Sequence, residues 1–485
     1  MLPIILLAGA AAPPQEQWIV VLPRVLARAA APLVEHRRAQ GMKVVELRPS
    51  DDLRKRIADA CKAHHGASSV LLLGSLDLVP PCKGTLSRMK GQPTDAPYGC
   101  LDGKRLPAVA VGRLPARDAE EAEAMVAKTL ALEKAAPGAW NRSLGVLAGI
   151  PAFNPVVDRL VESIAFARVD RASPAWTGRA LYTAPSSRFC VPAKKLKERS
   201  LEVLQGGQLL TLYLGHSNET GLYAGDAAFL DRRDFAGARM PNRGVFITLG
   251  CLGCRLEKEE GYGLSAIRNP QGPAAVFGSH GICFAAMCQL AADGLFEKAL
   301  AGPLPSRLGT CHLAALEGVA KGRMDFITFG MLDAVDGDPK IPQATQREEH
   351  LEMFLLLGDP ALRLPFVPAL TLEEPGKAVP GKVLTVRGRV PAHLVGGTLE
   401  FVLERTPASI PARLRADKGD EAMEANYAEA NRFRLLRVAA KAKGPAFAVR
   451  LPLPDKLPWP RIVLRVRAMK DGEEALAARR VEVGK

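Results

Sequence analysis

The chain is poor in aromatic residues: Phe, Trp and Tyr together make up 5% of its 485 residues. No basic run is interleaved with them, so the stacking-plus-phosphate chemistry of a nucleic-acid binder is missing despite a net charge of +14. The Lys and Arg residues are scattered instead. No interior run of about 18 apolar residues occurs, which excludes a multi-span membrane protein. Fixed-period repeats are lacking too. Cysteine is sparse, at nine, and odd in number, so there is no disulfide framework and at least one thiol is left over. Cys61, Cys82, Cys190 and Cys311 read as small buried hydrophobes. With 48% hydrophobic and 24% charged residues, the chain is ordinary globular material.

The first 16 residues carry an apolar run, Leu2 to Ala12, that ends in small residues before Pro13 and Pro14. It is read as a secretory signal or leader, although no Lys or Arg precedes it. From Gln17 the text alternates. Short apolar runs (WIVVL at 18–22, KVVEL at 43–47, VLLLG at 70–74, AVAVG at 108–112) are separated by helix-like stretches at 25–40, 51–64 and 116–135. The rhythm restarts after Trp140 with SLGVLA (143–148), LLTLYL (209–214), VFITL (245–249) and AAVFG (274–278), and with helical text at 156–167, 193–205, 284–300 and 308–320. Strands alternating with helices predict βαβ units and a mainly parallel α/β sheet. Near Pro365 the texture changes to short alternating runs split by Pro-Gly, Gly-Gly and Asp-Gly turns, the pattern of an all-β immunoglobulin-like sandwich. The expected domains are 17–140, 141–367 and 368–485.

Ligands of an open α/β sheet sit outside the carboxyl ends of its strands. His216 and Cys251 each lie just past an apolar strand, and each follows a glycine. If those strands are neighbours, imidazole and thiol face one crevice, where the imidazole can activate the thiol and later protonate a leaving amine. Cys251 and Cys254 also form a CxxC, so a redox dithiol or half a zinc site stays open as a reading. His280, Cys283 and Cys288 are the remaining potential ligands, but Cys283 and Cys288 lack the spacing of a second zinc half-site.

The stretches LYLGHSNETG (212–221) and GVFITLGCLG (244–253) resemble the catalytic core of gingipain-type cysteine peptidases, relatives of the caspases. VLLLGSLDLVP (70–80), TDAPYGCLDG (94–103), the Gly-Arg-Leu-Pro piece running from 107 to Trp140, and FLLLGDPALRLP (354–365) resemble further segments of that family, in the same order. The resemblance covers roughly residues 17–366. It implies a caspase-like fold of two α/β subdomains, with an immunoglobulin-like domain behind them.

The resemblance also implies roles. Cys251 is the nucleophile and His216 the general base and acid. The backbone N–H groups of Ser217 and Cys251 form the oxyanion hole. Asp158 falls where the Arg-specific members carry a pocket acid, and Phe284 and Met287 fall near pocket walls; as ordinary residues, Asp158 is a first-turn helix acid and the other two are core. No cofactor and no catalytic metal are implied. The partners are protein or peptide substrates, and the setting is the bacterial envelope or exterior. Two departures stand out: Ser217 replaces the usual glycine, and LAGIPAF (147–153) holds no acid to orient the histidine. They motivate a second reading, a catalytically inactive scaffold for binding or surface assembly.

Overall fold

The structure is a computed structural model that describes residues 15–484 apart from 150–161, 163–165, 167–169, 171–173, 258–260, 299–306, 366, 412 and 418. One sheet of ten strands organises the first three quarters of the chain. Its order is Lys43–Leu47, Gln17–Val21, Ser68–Leu73, Ala110–Leu114, Phe354–Leu357, Ala275–Ser279, Val245–Leu249, Leu210–Leu214, Ser143–Ala148, Thr177–Tyr182. Every neighbouring pair is parallel except Phe354–Leu357 against Ala275–Ser279. The central strands are almost continuously apolar because helices cover both faces. Trp18 and Val20 face Ala27–Ala39 and Ala119–Lys134, whereas Ile19 and Val21 pack with Ile57 of Leu53–Lys62. In the other half, Ile247 and Phe277 pack under Ala285–Phe296 and Leu308–Lys321, while Phe246 and Val276 pack with Tyr262–Arg268 and Phe235.

The two halves of this sheet join at Phe354–Leu357, a strand from the far end of the α/β region. The residues after it lock the seam. Asp359, fully buried, accepts from Arg37 Nη2 at 2.7 Å and from the Trp18 indole at 3.0 Å, and Arg37 also reaches Glu133 at 2.8 Å. Arg113 is equally buried. It holds Asp95 through two bonds of 2.7 Å and donates to the carbonyls of Gly74 and Val79 at 2.8 and 2.9 Å. Breaking such a pair leaves a bare buried charge, worth about 3–5 kcal/mol.

Beyond residue 370 two antiparallel sheets face each other. One has three strands, Thr371–Leu372, Val383–Arg389 and Ala446–Pro452; the other has four, Arg434–Lys441, Thr398–Arg405, Arg461–Lys470 and Glu473–Glu482. Their inward residues, among them Val386, Phe401, Leu451 and Leu464, form a separate core. A helix absent from the sequence-based expectation, Asp420–Ala430, interrupts this region. The residue after it, Asn431, reaches back to the edge strand of the large sheet. Its amide accepts from the Ala180 N–H at 2.8 Å and donates to the Ala180 carbonyl at 2.9 Å. The β-region thus blunts an edge that would otherwise template aggregation. Helices Phe326–Asp336 and Gln343–Met353 were not foreseen either.

Candidate active site

Leu210–Leu214 and Val245–Leu249 are adjacent and parallel, with Leu214 opposite Leu249. Gly215-His216 and Gly250-Cys251 therefore leave the sheet side by side. Gly215 adopts φ 143°, and a Cβ there would lie 2.8 Å from the backbone of Gly149. Gly250 is needed for close approach, since its Cβ would meet Ser217 Oγ at 2.3 Å. His216 is exposed, and its carbonyl accepts from the Tyr223 N–H at 3.0 Å and from the Tyr213 hydroxyl.

Ser217 opens a small antiparallel hairpin with Gly221–Ala224 and shows no positive φ, so a serine stands there in place of glycine without backbone strain. Its hydroxyl donates to the Cys251 carbonyl at 2.8 Å and accepts from Tyr262 at 3.2 Å. The histidine loop and the cysteine loop are thereby stitched together. Cys251 sits in a tight turn whose next residue, Leu252, takes φ 61°, a left-handed conformation that costs a branched side chain energy and clusters at functional sites. The Leu252 N–H bonds Gly281 O at 3.0 Å. Among the described residues, the Cys251 N–H has no backbone acceptor.

The Cys251 thiol is half-buried, with Sγ 3.7 Å from the Cys283 carbonyl oxygen. A hydrogen bond with the Cys283 thiol, and then burial, push its pKa well up. The wall 281–285 is held from behind. The Phe284 N–H donates to His350 Nε2 at 3.0 Å, the Ala285 N–H to Asp336 Oδ2 at 2.6 Å, and the Arg88 guanidinium stacks 4.0 Å from the Phe284 ring. Burial raises the Asp336 carboxyl, and the hydrogen bond from the Ala285 N–H, then the nearby His216 and Arg88, pull it partly back down. Asp336 also acts electrostatically on Cys251. It is the carboxylate that sequence reasoning missed. Its helix carried no motif, and its place depends on packing between segments about 50 to 120 residues apart.

Of the pocket residues, Phe284 is 7% exposed at the wall and Met287 is fully buried in the core. Asp158 lies outside the described residues. Cys251 packs against the core on one sheet face, and Cys254, fully buried, against the core on the other. All nine cysteines are free thiols. Among the described residues no group of three or more His, Cys, Asp or Glu is arranged to hold a metal. His280 is buried, and its Nδ1 accepts from the Leu256 N–H at 3.0 Å.

Residues 11–365 match the sequence pattern described as peptidase family C25. Three solved structures are similar along nearly their whole length. A crystal structure of the Arg-specific cysteine proteinase gingipain R has a TM-score of 0.59 at 13% identity, over 97% of this chain and 98% of that one. A complex of Porphyromonas gingivalis RgpB pro- and mature domains gives 0.56 at 13% identity, over 96% and 100%. A structure described only as a protease gives 0.57 at 13% identity, over 97% of each chain. No curated protein matches the chain.

Proposed function

The chain belongs to peptidase family C25 and is a cysteine-type peptidase, and from that premise we propose that it is an endopeptidase working through Cys251 and His216. The observation that carries this reading is the register of two adjacent parallel strands, Leu214 opposite Leu249, which sends Gly-His and Gly-Cys out together. Cys251 Sγ attacks the scissile carbonyl, and His216 takes the thiol proton and returns it to the leaving amine; water then cleaves the acyl-enzyme. The oxyanion is met by the N–H groups of Cys251 and Ser217. Cleavage falls after Arg or Lys, with Asp158 the acid implied by family resemblance and Asp336 a second carboxylate beside the pair. Residues 17–140, 141–367 and 368–485 serve as two α/β subdomains and a supporting sandwich. Residues 1–16 direct the chain to the envelope or exterior; no helix among the described residues is long and apolar enough to cross a membrane.

One observation favours the second reading, an inactive scaffold. The Cys251 thiol points into its own wall, and its ionisation is suppressed there. The two readings separate with a peptidyl chloromethyl ketone ending in Arg. Covalent labelling at Cys251 that disappears in His216→Ala supports the endopeptidase; a correctly folded chain that is never labelled supports the scaffold.

A further inference from the structure

Peptide cleavage needs one thiol at the site, yet three meet there. Cys288 Sγ donates to Cys283 Sγ across 3.2 Å. Cys251 Sγ lies 3.7 Å from the Cys283 carbonyl oxygen, and the Cys283 side chain is the strongest influence on its ionisation. Cys283 and Cys288 are 5% and 7% exposed, whereas Cys251 is only half-buried. A small oxidant from solvent therefore meets Cys251 first, with Cys283 directly behind it. Cys283 is fixed there by three neighbours in the wall: Phe284 bonded to His350, Ala285 bonded to Asp336, and Cys288.

We propose that Cys283 is a resolving thiol for Cys251, so that oxidation of the nucleophile by a hydroperoxide ends in a reversible Cys251–Cys283 disulfide. In the first step Cys251 sulfur attacks the peroxide. The O–O bond breaks, one oxygen leaves as water (as an alcohol from an organic peroxide), and the sulfur is oxidised by two electrons to a sulfenic acid. In the second step Cys283 sulfur attacks that sulfur. The S–O bond breaks, the S–S bond forms, and the departing hydroxyl takes the Cys283 proton and leaves as water. With hydrogen peroxide the sum is two thiols and one peroxide giving one disulfide and two waters. Two equivalents of an external thiol reverse it. Because Cys283 belongs to the wall that the Cys251 thiol faces, ring closure outruns a second oxidation to the irreversible sulfinic acid. The high thiol pKa makes the first step slow, so the reaction is followed over minutes rather than seconds.

The test uses the full chain and does not depend on peptide cleavage. The protein is treated with hydrogen peroxide, blocked with iodoacetamide and mapped by mass spectrometry. The expected product is a peptide pair joined through Cys251 and Cys283. Iodoacetamide labelling of Cys251 should fall at least about tenfold and return after dithiothreitol. In Cys283→Ser, labelling should be lost equally and should not return. The proposal is overturned if wild-type Cys251 goes to sulfinic or sulfonic acid with no joined pair. It is overturned equally if Cys283 bridges only to Cys288, to the same extent in Cys251→Ala. Wild-type mapping decides the matter even if the serine variant misfolds.

Discussion

In the N-terminal half of the sheet, Ser68–Leu73 runs into Gly74 at φ 143°; in the C-terminal half, Leu210–Leu214 runs into Gly215 at the same φ of 143°. The strand at the seam repeats the turn at Gly358, φ 148°. Glycine adopts this conformation without a Cβ penalty. The residues just past these glycines have different surroundings. Ser75 and Asp359 are 4% and 0% exposed, and the carbonyls around Ser75 are capped by Arg113. His216, in contrast, is left at the surface. Ligands of an open α/β sheet sit at such strand ends. In one half a buried guanidinium caps the carbonyls there; in the other a histidine and a cysteine leave adjacent strands side by side. The turn is a backbone solution shared by both halves, and cover by the rest of the chain separates structural use from chemical use.

The largest contrast should come from removing the residue each half depends on. Cys251→Ala should lower peptide cleavage by about 10³-fold or more with an unchanged urea midpoint. Asp359→Ala should leave Arg37 buried without its main partner and cost about 3–5 kcal/mol in urea titrations, while the folded fraction keeps its kcat/KM. Loss of cleavage in the second variant at full folding would end the separation of roles.

The glycines give the next test. Gly215→Ala drives a Cβ against Gly149 and should displace His216, lowering kcat/KM about 10²-fold. Gly74→Ala, with its Cβ 3.0 Å from Leu78, should cost about 1–3 kcal/mol of stability and leave kcat/KM intact. A smaller effect is expected from Asp336→Asn, about tenfold in kcat/KM on Arg-ending substrates relative to neutral ones. Equal loss on both substrate classes would assign Asp336 to wall support alone.

The smallest effect concerns acid. His280, His312 and His350, all in the C-terminal half, are buried, and desolvation lowers them to about 4, about 4 and about 3. Between those values and the ordinary pKa of about 6.5 the unfolded chain binds more protons than the folded one. Their contribution to stability is therefore complete above pH 6.5 and declines as the pH falls toward 3. Hydrogen exchange run downward in pH should show the C-terminal half opening before the N-terminal half, whose His36, His64 and His65 are not buried.

Much of the α/β region was legible because a parallel strand covered on both faces is written as an uninterrupted apolar run. WIVVL, LLTLYL and VFITL overlap the strands Gln17–Val21, Leu210–Leu214 and Val245–Leu249. Residues 217–244 connect the last two, which are adjacent, through a three-stranded hairpin and the helix Arg232–Gly237, neither of which shows as an apolar run. Helix Asp420–Ala430 escaped notice because Asp, Glu and Asn within a β-rich stretch look like a turn. Asp95, Arg113 and Asp359 lay inside the family-like stretches and Arg37 in a helix-like one, without disclosing that their charges meet.

The sequence alone determined which segments are strands, where glycines permit sharp exits from them, and that a histidine and a cysteine follow two of those exits. These are local properties, set by side-chain periodicity and backbone sterics. Only the tertiary structure decided that Leu210–Leu214 and Val245–Leu249 are neighbours, that Phe354–Leu357 closes the seam, and that Asp336, Cys283 and Cys288 crowd the nucleophile. Those placements depend on which distant surfaces bury each other, and contacts at such separation leave no periodic trace in the chain.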